Sequence, residues 1–245
     1  MDARAALGPL ALLFAALCTP LAAPAADALD ASALTLPSKT GDVHVDRYAI
    51  RGTQLRPAIV ILHGASGIAP FAAAYVRYAQ TLAASGFDTY LISYFDPHPV
   101  EKPTQADAAQ RARWRTRIGT VVDYARRAPH ASGQLGLLGF SLGGQVALAD
   151  AAADPRVNAA VIFYARFPED DPVRRLPPLL VIHGEADTTI PYASGKAIVA
   201  RANALGGRAS ILGYRKKEHG FDFTGGPAAA SAMQQTIAFF RRELR

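Results

Sequence analysis

Apolar residues fall in short unbroken runs, separated by longer stretches rich in alanine and charge. Six runs have strand length: Pro57–His63, Phe87–Phe95, Gln134–Phe140, Val157–Tyr164, Pro178–His183 and Arg208–Tyr214. They are continuous rather than alternating, the pattern of strands covered on both faces, and this predicts a largely parallel sheet. The stretches Phe71–Ser85, Gln105–Arg127, Leu142–Ala153, Tyr192–Leu205 and Ala228–Leu244 have helical length. Gly86 and Gly206 sit where helices should stop. Strand and helix in alternation predict a doubly wound α/β sheet flanked by helices. No linker or internal repeat interrupts the chain after Leu29, so residues 26–245 read as a single domain without a separate cap. The proline-rich stretch Asp96–Thr104 reads as a long loop over a site.

The N-terminus follows a different rule. Asp2 and Arg4 precede an alanine- and leucine-rich run from Ala5 to Leu17, then Pro20 and the small residues Ala22-Ala23-Pro24-Ala25-Ala26. A short charged head, an apolar middle and an A-x-A site describe a secretory signal peptide over residues 1–25, cleaved after Ala25. The expected location is periplasmic or secreted. The run is short of the ~20 residues a spanning helix needs, so no stable membrane insertion is expected once the leader is gone. Bulky Leu17 before Cys18 argues against a lipoprotein site. Cys18 is the only cysteine and lies in the leader, so the mature chain would carry no disulfide, thiol nucleophile or cysteine metal ligand.

Half of the 245 residues are apolar and 19% are charged, a globular composition. The formal charge of +6 raises the question of an anionic partner. The densest cations, Arg111, Arg113, Arg115 and Arg117, recur at every second residue and spread around a helix instead of forming a stripe. They read as a solvated surface; no nucleic acid partner is expected. No metal-ligand spacing stands out, and no metal or organic cofactor is expected. Oligomeric state is not encoded legibly.

The chemistry centres on Gly139-Phe140-Ser141-Leu142-Gly143. This G-x-S-x-G pentapeptide ends a predicted strand and opens a predicted helix, the context in which its serine is held at a sharp turn above the carboxyl edge of a sheet. A serine hydroxyl needs a base, and the base needs an orienting acid, here in the order Ser, acid, His. His219 is the histidine that follows both Ser141 and a plausible acid. His183 ends a strand too soon after Ser141 and reads as a packed histidine. Asp187, just past the strand Leu179–His183, is the favoured acid, with Glu185 as a competitor two residues away. Two backbone N–H groups would hold the oxyanion: that of Leu142, and that of Ala65 in the glycine-bearing loop His63-Gly64-Ala65-Ser66-Gly67.

The chain resembles an α/β-hydrolase, and within that fold the dienelactone hydrolase family. The resemblance rests on Gly139-Phe140-Ser141-Leu142-Gly143-Gly144, on Gly184-x-x-Asp187-x-x-x-Pro191, and on His219-Gly220-Phe221 before a last helix. It implies catalytic Ser141, Asp187 and His219 and no cofactor. Members of the family carry a cysteine at the position of Ser141 and a glutamate at that of Gly64. Both departures point to a serine esterase rather than a thiol lactonase. Those enzymes also grip a substrate carboxylate with arginines, where this chain has Asp96 and Phe223.

The expected activity is hydrolysis of small carboxylic esters or lactones through an acyl-enzyme. Tyr94, Phe95, Tyr164 and Phe221 lie near predicted strand ends and are candidates for lining the substrate pocket, with Trp114 as its cap. Arg166 is a candidate for meeting an anionic group. A peptidase or acyltransferase could use the same triad, and a non-catalytic binding protein could share the fold.

Overall fold

The computed structural model describes residues 29–95, 100–168 and 173–245. The leader expected over residues 1–25 lies outside them, as do residues 96–99 of the proline-rich stretch. The eight strands are β1 (Leu29–Leu36), β2 (Val43–Ile50), β3 (Arg56–Leu62), β4 (Asp88–Ile92), β5 (Ala131–Phe140), β6 (Ala159–Phe163), β7 (Leu179–Gly184) and β8 (Ala209–Tyr214). They form one sheet in the order β1-β2-β4-β3-β5-β6-β7-β8. From β4 to β8 all pairings are parallel, while β1 pairs antiparallel with β2 and β2 with β4.

The six apolar runs become β3 to β8. The β1–β2 hairpin was not expected. Its strands face solvent on one side, with burial alternating along Val43-His44-Val45-Asp46, so no continuous apolar run marks them. The helices are α1 (Ala72–Ala84), α2 (Ala108–Arg127), α3 (Leu142–Ala153), α4 (Tyr192–Ala204) and α5 (Gly226–Glu243). α2 begins at Ala108, three residues later than expected, because the Asp107 carboxylate accepts the Gln110 N–H at 2.7 Å and caps the helix. Gly86 and Gly206 adopt φ of +99° and +77° just beyond α1 and α4.

Each face of the sheet buries its own core. One holds α2, α3 and α4 through Trp114, Val121, Leu148 and Ile198; the other holds α1 and α5 through Tyr75, Tyr78, Phe239 and Phe240. Among the described residues no inserted helical layer covers the carboxyl edge. The arginines of α2 are not all a solvated surface. Arg117 is buried and donates to the Thr40 carbonyl at 2.6 Å and the Tyr94 carbonyl at 3.3 Å, tying α2 to the β1–β2 connection and the end of β4. Arg115 pairs with buried Asp150 of α3 at 3.0 Å.

Register brings Leu62 of β3 beside Gly139 of β5, and Phe140 of β5 beside Phe163 of β6, so three strand ends meet at one edge. The first turn of α3 then crosses the end of β3 at close range. A Cβ on Gly143 would lie 2.3 Å from the His63 carbonyl oxygen, and one on Gly139 would lie 2.4 Å from the Gly143 oxygen. Backbone meets backbone there, so neither side can yield. Gly143→Ala should therefore lower unfolding stability by about 2–3 kcal/mol. Calorimetry should read this as a melting temperature about 5–10 °C lower.

Candidate active site

The turn between β5 and α3 holds Ser141 at φ 53°, ψ −116°, outside the regions an L-residue ordinarily occupies. Its N–H donates to the Phe163 carbonyl of β6 at 2.9 Å, and its own carbonyl caps the Gly144 and Gln145 N–H groups at 3.0 and 3.1 Å. Both ends of the residue are thus fixed, and the side chain is directed away from the sheet edge at the N-terminal end of α3, where the helix dipole is positive.

His219 Nε2 lies 3.0 Å from Ser141 Oγ, and His219 Nδ1 lies 2.8 Å from Asp187 Oδ2. These side chains come from loops after β5, β7 and β8. Distance fixes the tautomer: Asp187 is acceptor-only, so Nδ1 carries the proton and Nε2 accepts from the serine hydroxyl. The Asp187 side chain is wholly buried, and its Oδ1 accepts the Thr189 and Ile190 N–H groups at 2.9 and 2.8 Å. Glu185 is exposed and takes no part.

His183 contributes more than packing. It is buried at the end of β7, with Nε2 at 2.8 Å from the Ile190 carbonyl and 3.3 Å from Asp187 Oδ2. A carbonyl requires a donor, so Nε2 carries the proton and leans on the same carboxylate oxygen that His219 uses. Burial lowers its pKa, against the pull of the Ile190 carbonyl and Asp187, so it stays neutral. The sequence showed a histidine at a strand end; that it braces the Asp187 turn depends on the path of residues 187–190.

Leu142 follows the serine, and Gly64, next to Ala65, approaches it so closely that a Cβ there would lie 3.6 Å from the Ser141 Cβ. Leu142 opens α3, and among the described residues neither its N–H nor that of Ala65 meets a backbone acceptor. The Gly64 N–H, next to Ala65, donates to the Tyr75 hydroxyl at 2.8 Å and so anchors this loop to α1.

The four aromatic candidates for the pocket wall are mostly structural. Tyr94 is buried, stacks on His63 at 4.2 Å and donates its hydroxyl to the His63 carbonyl. Tyr164 is buried with its ring 4.5 Å from that of His219, so it backs the base. Phe221 is buried against Tyr214. Phe95 keeps partial exposure but packs on His63 and Trp114. Apolar rings at strand ends sink into the core unless a loop lifts them, which sequence proximity to a strand end does not reveal. Trp114 is a buried wall rather than a cap, and Arg166 is exposed. Phe223 packs with Phe71, Tyr75 and Phe140 at 4.9–5.4 Å between centroids, an apolar neighbourhood. Asp96 lies outside the described residues. Among them no group of three or more His, Cys, Asp or Glu could hold a metal ion.

The sequence profile of the dienelactone hydrolase family matches residues 45–244. The chain belongs to the dienelactone hydrolase family. This member is similar to a carboxymethylenebutenolidase of Rhodococcus opacus, 28% identical over 80% of this chain and 85% of that protein. A Klebsiella pneumoniae structure assigned to the dienelactone hydrolases superposes with a TM-score of 0.75, at 18% identity over 87% of this chain and 99% of that one. An esterase of Pyrobaculum calidifontis superposes with a TM-score of 0.73, at 19% identity over 88% and 86%. The fold is thus the α/β-hydrolase fold, and the protein is a carboxylic ester hydrolase with a small-molecule substrate.

Three residues beyond His219, Asp222 is buried with one carboxylate oxygen accepting from the Tyr78 hydroxyl at 2.9 Å. Arg77 donates to the carbonyls of Asp222 and Phe223, so two neighbours on α1 hold the loop that carries His219. Burial pushes the Asp222 carboxyl up to about 6, outweighing its hydrogen bonds. A raised folded pKa means that the native state holds its proton more tightly than the unfolded chain. Stability therefore falls as pH rises from about 4 to about 6. Asp222→Asn should remove this slope, a difference of about 2–3 kcal/mol between pH 4 and 6.5 in urea unfolding. His183→Leu should lower kcat/KM about tenfold while the fold survives, the equivalent of one hydrogen bond lost behind Asp187. Steady-state kinetics beside a melting curve would check it.

Proposed function

We propose that this enzyme is an exported serine hydrolase that cleaves small carboxylic esters, or lactones, through an acyl-enzyme on Ser141. The observation that carries the reading is the continuous hydrogen-bonded line from the Ser141 hydroxyl through the His219 imidazole to the buried Asp187 carboxylate, at 3.0 and 2.8 Å.

Ser141 Oγ attacks the ester carbonyl carbon as His219 Nε2 takes its proton. Asp187, supported by two backbone N–H groups and His183, steadies the imidazolium without accepting that proton. The negative oxygen of the tetrahedral intermediate accepts the Ala65 and Leu142 N–H groups. His219 then returns its proton to the leaving alcohol. Water enters, gives a proton to the same nitrogen, and releases the acid. No step draws on a metal or organic cofactor. The partly exposed imidazole lets water reach the acyl-enzyme, which favours hydrolysis over acyl transfer.

Export supports an active site built without thiols: with the leader removed after Ala25, no cysteine remains. Serine in place of the family's cysteine and Gly64 in place of its glutamate make an ester the preferred substrate over dienelactone. The apolar surroundings of Phe223 offer no cation for a substrate carboxylate on that side.

Ser141→Ala should lower kcat on 4-nitrophenyl esters by roughly three or more orders of magnitude. Wild-type protein should label with a fluorophosphonate at Ser141 and leave aminoacyl anilides uncleaved. Undiminished ester hydrolysis by the alanine variant would refute the assignment, and preferential anilide cleavage would make the enzyme a peptidase.

A further inference from the structure

The surroundings of the nucleophile differ on the two faces of the sheet. Toward α1 the space is filled by the Phe71–Phe223–Tyr75 cluster. Toward α2 a cleft of about 40 Å³ opens between the start of α3 and the first turns of α2. Its floor is the wholly buried Trp114, and its walls include Leu142, Val146 and Ala149 of α3, with Pro168 at one side. Leu142, whose N–H the reading above assigns to the oxyanion, is among the residues that line the cleft. The rim carries Thr104, Gln145, Arg111 and Arg115. Arg115 is paired with Asp150 at 3.0 Å and Arg111 donates to the Ala106 carbonyl at 2.5 Å, so both guanidiniums are engaged.

A tetrahedral carbon on Ser141 has fixed directions. Its oxyanion faces Ala65 and Leu142, and its leaving oxygen must face His219 Nε2, the proton donor. The acyl substituent takes the direction that remains. No residue of the Asp187 loop or of the His219 loop lines the cleft, so it is remote from the leaving group. Its volume, at roughly one water for each 10–15 Å³, takes about three waters, or a chain of similar length. The lining is apolar at depth, and cations occupy the rim.

We propose that this cleft is the acyl pocket and that it selects uncharged acyl groups of about three or four carbons, a specificity that rests on the serine-hydrolase reading above. The test is an acyl-length series of 4-nitrophenyl esters against wild type and two variants that fill the mouth, Gln145→Trp and Thr104→Trp. Gln145 is half-buried and Thr104 exposed, so both should fold, and melting curves would verify it. Wild-type kcat/KM should rise roughly tenfold from acetate to butyrate, as methylenes enter an apolar pocket, and rise no further at octanoate. Both tryptophan variants should lose the butyrate preference, bringing the butyrate-to-acetate ratio of kcat/KM close to one. A flat acyl series in wild type, or one unchanged in both variants, would overturn the acyl pocket while leaving the serine-hydrolase reading intact. The same holds if the variants alter the response to the alcohol portion, compared as ethyl and phenyl acetates, instead of the acyl portion. Absence of hydrolysis of every ester, together with absence of fluorophosphonate labelling, would overturn both.

Discussion

A left-handed backbone at Ser141, locked between β5 and α3, is the constraint from which the rest of the site takes its position. A residue with φ of 53° persists only where its surroundings leave no alternative. Here the surroundings are main chain: the Phe163 carbonyl on one side and, through the glycines of the turn, the end of β3 on the other. The close approach that fixes the serine also brings the Gly64–Ala65 loop against it. The turn at Ser141 and the approach of Gly64 to it are therefore consequences of one packing contact, not independent features.

Behind the imidazole stand two buried carboxylates in contrasting states. Asp187 accepts hydrogen bonds from His219 Nδ1 and from two backbone N–H groups, and neutral His183 stands close to it, so both its oxygens are partnered in spite of complete burial. Asp222 receives a hydroxyl from Tyr78 on one oxygen, while its other oxygen has no partner among the described residues. The first meets the His219 imidazole directly. The second holds the loop in place through α1, and the cost of that tie is an acid that is uncomfortable when ionised. Tyr164 lies between them, its phenol kept neutral by burial and by the Asp222 charge, with its ring under the base.

Much of this was legible in the sequence because parallel strands buried on both faces announce themselves as unbroken apolar runs. The G-x-S-x-G turn, the Asp187 loop and the His219 loop each follow such a run, and the structure brings their side chains within hydrogen-bonding distance. What was not legible has common physical causes. The β1–β2 hairpin is half-solvated, so its apolar positions alternate and blend with the polar background. Tyr94, Tyr164 and Phe221 sit at strand ends as expected, but whether a ring faces a pocket or the core is set by its neighbours in space. His183 and Asp222 act through residues that touch them only once the chain has folded. The cleft beside Leu142 is assembled from α2, α3 and two loops, none of which carries a distinguishing motif.

One feature of the topology bears on durability. His219 is delivered by the loop after β8, the last strand at its edge of the sheet, which pairs with β7 alone and is only half-buried. Ser141 and the Gly64 loop, by contrast, follow β5 and β3 at the centre, with neighbours on both sides. Edge strands fray first when a protein warms. The grip of Arg77 and Tyr78 on the residues after His219 joins that marginal strand to a helix on the far side of β3. A few polar links to α1 thus tie the loop of His219 to an element nearer the middle of the sheet.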